Sequence, residues 1–130
     1  MNVVLDTNVL ISAAWSPGRD ASRILSAVFA GRFTACYDSR ILSEYDSVLH
    51  YPKFKFSDWE INAVLTPIIK YGVSVVAPVA DDVSFERDET DKKFYEVARF
   101  CDAVLVTGNL KHYPQEDNIM AISDFCRRFL

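Results

Sequence analysis

Four acids and one amide are spaced so that a folded chain would bring their oxygens together. Asp6 directly follows the short β-branched run Asn2–Leu5, and Thr7, Asn8 and a second apolar run, Val9–Ala14, come after it. Glu44 lies about one turn into a helical pattern. Asp88 and Asp91 precede and open another, and Asn109 sits in Thr107-Gly108-Asn109, behind the apolar run Ala103–Val106. In a parallel α/β sheet, strand ends and helix N-termini share one edge, and ligands bind there. Carboxylates gathered at that edge repel, which is costly unless a cation sits between them. An all-oxygen set suits hard Mg2+ or Mn2+, whereas neither Cys nor His has zinc-site spacing. Such a centre serves hydrolysis of a phosphate ester, by lowering the pKa of a bound water and steadying the leaving oxygen. For any one of these acids alone, the plain alternative is a solvated surface residue or a helix cap.

The elements that must position them follow from period and punctuation. Strands are expected at Asn2–Leu5, Phe33–Tyr37, Val73–Ala77, Ala103–Val106 and Asn118–Ile122, each a short apolar run. Between them lie helical patterns. Asp20 opens one that stops at Gly31. Asp38 or Ser39 caps one carrying Ile41, Leu42, Tyr45, Val48 and Leu49, and ending before Pro52. Ser57-Asp58-Trp59-Glu60 fits a capping box for a helix reaching about Lys70, with Pro67 as a possible kink. A further helix is expected from Asp91 to Phe100, and Ser123 caps a short last one. Alternating strands and helices predict an α/β fold: a central parallel sheet of four to five strands with helices on both faces and right-handed crossovers.

At 130 residues the chain is expected to be a single domain, residues 1–130. No apolar run approaches the roughly 20 residues of a membrane span, and no basic segment precedes the first apolar run, so no signal peptide is expected. Cys36, Cys101 and Cys126 are odd in number and read as packing residues of a reducing cytoplasm. The net charge of −4 argues against a broad basic face for duplex DNA and is compatible with a cluster of metal-binding acids.

The stretches VVLDTNVLISA, the Glu44 of ILSEY, DETDKKFYEVA and LVTGNLKHYP resemble the four motifs of PIN-domain ribonucleases, and within them the VapC-like toxins of toxin–antitoxin pairs. The resemblance runs from Met1 to about Ile122. It implies a PIN-like three-layer fold and a metal-dependent endonuclease of single-stranded RNA, using Mg2+ or Mn2+. Asp6, Glu44 and Asp91 match the three core acids, and Asp88 an additional one. Asn109 falls where many members carry a fourth Asp, and as an amide it adds no charge. Thr7, Asn8 and Thr107 match small polar positions that orient ligands or waters. The resemblance also implies a homodimer inhibited by an antitoxin protein.

Lys111 and His112, just past the fourth motif, are candidate substrate contacts, against the alternative of a solvated loop. Arg19, Arg40, Lys53 and Lys55 would form an electrostatic rim for RNA. Trp15 and Trp59 read first as packing residues and second as base-stacking ones, and His50 as a helix C-terminal residue. The competing function is a PIN-fold module that binds a protein or RNA without cutting. A receiver domain fits less well, because a single acid follows the first strand. An aspartate-nucleophile phosphatase needs an Asp where Asn8 stands.

Overall fold

The strands are β1 (Asn2–Leu5), β2 (Thr34–Tyr37), β3 (Val73–Ser74), β4 (Val104–Thr107) and β5 (Ile119–Ala121). They lie side by side in the order β3-β2-β1-β4-β5, every neighbouring pair parallel. The computed structural model describes residues 1–85 and 89–130. The sequence puts β-branched and aliphatic residues in β1 and β4 because both strands are central and covered on both faces. Val3, Val4, Leu5, Leu105 and Val106 are accordingly buried.

Six α-helices among the described residues flank the sheet: α1 (Thr7–Trp15), α2 (Asp20–Phe29), α3 (Ser39–Leu49), α4 (Asp58–Tyr71), α5 (Lys92–Phe100) and α6 (Ile122–Phe129). The expected α/β fold with helices on both faces is the observed one. The connections from β1 to β2 and from β2 to β3 carry α1, α2 and α4, which pack against each other on one face. The connection from β3 back to β4 crosses the sheet, so its helix, α5, lies on the other face, against β1, β2 and β4.

Several local signals act as the sequence predicts. Ser57 and Glu60 form a reciprocal capping box on α4, which runs on through Pro67 at the loss of one backbone bond. Other boundaries differ. β3 was expected over residues 73–77, but its ladder holds two residues. It is an edge strand with β2 as its sole neighbour, and after the Val75 N–H bonds the Tyr37 carbonyl the chain departs toward Pro78. A 3₁₀ turn, Glu89–Asp91, precedes α5, so the α-helix begins after Asp91. Ser123 does not cap α6; the cap position is Ala121, because β5 runs directly into that helix. No helix among the described residues is long and apolar enough to cross a membrane.

Candidate active site

The parallel register of β1 on β4 pairs Leu5 with Val106, which sets Asp6, just past β1, beside Thr107, the last residue of β4. The Asp6 N–H bonds the Val106 carbonyl at 3.0 Å. Asp6 occupies the N-cap position of α1 yet makes no side-chain capping bond. Its carboxylate instead turns toward β4. Thr107 Oγ1 donates to Asp6 Oδ2 at 2.9 Å, and the Tyr113 hydroxyl donates to the same oxygen at 2.8 Å. Asp6 is 5% exposed. Burial raises its pKa above the ordinary range; the Tyr113 and Thr107 bonds oppose that rise, and the nearby Asp91 and Glu44 charges add to it. Burial, with the Asp6 and Asp91 carboxylates, also holds the Tyr113 phenol far above its usual pKa, so it stays protonated and a donor.

Helix α3 brings Glu44 to the same place. Thr7 Oγ1 donates to Glu44 Oε2, and Lys93 Nζ donates to Oε1 at 2.7 Å, so both oxygens of Glu44 are held. The Tyr45 hydroxyl bonds the Leu5 carbonyl, tying α3 to the end of β1. Asp91, also buried, ends the 3₁₀ turn before α5, and His112 Nδ1 lies 2.8 Å from its Oδ2. Asn8 holds the neighbouring loop. Its Oδ1 accepts the Gly108 N–H at 2.9 Å, pinning the loop after β4. A Cβ added at Gly108 would lie 3.3 Å from Asn8 Cγ, so the close approach suits glycine. The Asn109 N–H bonds Thr107 Oγ1 at 2.9 Å, and its side chain makes no hydrogen bond among the described residues.

Asp6, Glu44, Asp91, Thr7, Thr107 and His112 therefore meet at one edge of the sheet, and Asp88 lies outside the described residues. Lys111 is exposed beside them. Two participants, Tyr113 and Lys93, were not singled out in the sequence. The available signal for Tyr113 was a lone aromatic residue in the polar stretch KHYPQED, since a buried tyrosine hydroxyl needs a partner. Two other expectations are corrected. Arg40 is no RNA rim residue, because it is bound to Asp38 and Glu96. Trp15 and Trp59 do not pack inside; they are 59% and 78% exposed. His50 caps the end of α3, as expected.

The donor chemistry fits a hard divalent cation. Two carboxylates, Asp91 and Glu44, stand close enough to perturb a third, Asp6; all are oxygen donors, and the fold buries Asp6 and Asp91. Among the described residues, no three His, Cys, Asp or Glu side chains stand close enough to hold one ion as they are placed. The Lys93 ammonium pairs with Glu44, and the His112 ring lies against Asp91.

Fold and site define an α/β protein with an acidic, oxygen-rich centre at the strand ends. The chain belongs to the PIN domain family, whose profile matches residues 2–111 and whose members are generally nucleases that typically use divalent metals. An uncharacterized protein of Methanocaldococcus jannaschii is 31% identical over 110 residues, covering 84% of this chain and 71% of that protein. The crystal structure of VapBC2 from Rickettsia felis bound to a DNA fragment from their promoter shares the fold. Its TM-score is 0.60 at 14% identity, covering 93% of this chain and 97% of the matched one.

Proposed function

We propose that this chain is an endoribonuclease of single-stranded RNA that requires Mg2+ or Mn2+, and that it is the toxin of a toxin–antitoxin pair. The observation that carries the reading is Asp6, a buried carboxylate at a helix start that forgoes the cap and lies within reach of the Asp91 and Glu44 charges. Asp6, Glu44 and Asp91 would hold the cation, with Asp88 and Asn109 completing the set. Once bound, the cation activates water and steadies charge on the phosphate. Thr107 and Tyr113 fix the rotation of the Asp6 carboxylate through one oxygen. Thr7 and Lys93 fix Glu44, and His112 orients Asp91. Such partners of ligating carboxylates set their direction and basicity. Lys111, exposed at the rim, would meet a substrate phosphate.

The shared fold with VapBC2 supports an antitoxin protein as partner, the family resemblance a homodimer, and the three free cysteines a cytoplasmic setting. The test is Mn2+-dependent cleavage of a panel of single-stranded RNAs by wild type beside Asp6→Asn. Metal-dependent cleavage lost in the variant supports the reading. Equal cleavage by both proteins contradicts it. One observation favours a second reading, a PIN module that binds without cutting: Lys93 and His112 already pair with two of the acids. Absence of Mn2+ or Mg2+ binding at millimolar concentration selects that reading.

A further inference from the structure

The chain's two tryptophans are both exposed, and Trp15 belongs to an aromatic ledge remote from the acids. The chain leaves α3 through Tyr51 into a 3₁₀ turn, Pro52–Phe54, that ends at Lys55 in the left-handed region (φ 56°). That reversal lays Phe56 on Phe54, with centroids 5.7 Å apart and rings 19° from parallel. Tyr51 also stacks with Phe54, at 6.3 Å and 5°. Trp15, the last residue of α1, meets Phe54 edge-on at 5.1 Å. Tyr51 and Trp15 stay about half exposed. Interleaved with the rings are Lys53 and Lys55, both exposed and in no ion pair among the described residues. Lys53 Nζ lies 5.1 Å from the Phe54 centroid.

We propose that this ledge is a second contact site for single-stranded RNA, stacking bases on Trp15 and Tyr51 while Lys53 and Lys55 meet the phosphates. The inference rests on the RNA-cleaving reading above and adds where the strand goes beyond the site of cleavage. Three observations select this occupant. Exposed aromatic faces beside unpaired cations are the pattern of sequence-tolerant single-strand binding. The chain as a whole is acidic, at −4, so unpaired lysines at one corner stand out as a place for a polyanion. An apolar protein partner laid here would have to desolvate two ammonium groups without pairing them, which is costly. The ledge is also connected to the acids by rigid elements. Thr7 and Trp15 are the two ends of α1, about 12 Å apart at 1.5 Å per residue, and Glu44 lies on α3, whose end leads into Tyr51. A strand of a few nucleotides covers that span.

The test uses the tryptophans as reporters. Trp59→Phe leaves Trp15 as the one tryptophan, and the full chain is titrated with a single-stranded RNA oligonucleotide in EDTA, where cleavage does not compete. The expected result is quenching of Trp15 fluorescence. Trp15→Ala, at an exposed position, is expected to weaken binding roughly tenfold. Lys53→Gln with Lys55→Gln is expected to flatten the slope of log affinity against log salt by about 1.4, the share of two phosphate contacts on a single strand. Trp15 fluorescence indifferent to RNA that the protein nonetheless cleaves overturns the ledge and leaves the nuclease reading standing. So do variants that bind RNA like wild type but lose self-association or capture of a protein partner, which reassign the ledge to protein. A wild type that neither binds nor cleaves RNA overturns both readings.

Discussion

The first and second strand–helix junctions share a sequence signature and part company in what they do with it. In each, an apolar strand ends in an Asp at the N-cap of the next helix: Asp6 after β1 and Asp38 after β2, 5% and 4% exposed. Asp38 caps. Its Oδ1 accepts the Ile41 N–H at 2.9 Å, and its Oδ2 pairs with Arg40. Arg40 continues to Glu96, whose other oxygen accepts the Ala80 N–H at 2.7 Å. That cluster is closed: every charge in it has a structural partner, and it ties α3 to α5 and to the loop before it. Asp6 leaves its helix uncapped and reaches across the sheet to Thr107 and Tyr113, among carboxylates that push against it. A cap forgone at a cost of about 1 kcal/mol, and a charge buried against its preference, are signs of a residue placed for chemistry.

The comparison can be broken most directly at the two aspartates. Asp6→Asn is expected to cut RNA cleavage by more than about a hundredfold, the scale on which metal sites fail when a ligand or its support is removed. Asp38→Asn is expected to leave the rate within a few-fold. Equal losses in the same cleavage assay would erase the distinction. Asp38→Ala should instead lower stability by about 2 kcal/mol, through the lost cap and the lost Asp38–Arg40 pair, as read by denaturant unfolding. Tyr113→Phe sharpens the other side. It removes one of two donors to Asp6 Oδ2, and Mn2+ affinity is expected to fall about tenfold while the thermal midpoint stays near wild type. The smallest effect is in stability against pH. Burial raises the folded-state pKa of Asp6 above its ordinary 3.8. Protonated Asp6 therefore favours the fold; that contribution is full below the unfolded pKa and is lost as pH climbs through the folded value. Asp6→Asn should melt above wild type at neutral pH, with the gap closing in acid.

Much of this was legible in the sequence. The β1 and β4 runs, Asp6, Glu44 and Asp91 were readable because buried parallel strands and helix starts leave local marks. Their meeting followed once the strands were taken as parallel. What local pattern could not give was the partner of each acid. Asp6 and Asp38 look alike in sequence, since capping is decided by which way a carboxylate turns. That turn depends on Tyr113, which is 107 positions away along the chain. The same limit hid Lys93 and led Arg40 to be read as free. The ledge was hidden for another reason. Tryptophan's size favours burial, and only the left-handed turn at Lys55 shows that these rings pack on one another at the surface.

The most direct test of the central claim is Mn2+ binding without RNA, followed by electron paramagnetic resonance for wild type, Asp6→Asn and Asp38→Asn. The account predicts that wild type and Asp38→Asn remove free Mn2+ from solution alike and that Asp6→Asn fails to do so. Equal binding by the two variants, or none by wild type, would contradict the claim that Asp6 left its helix uncapped to hold a cation.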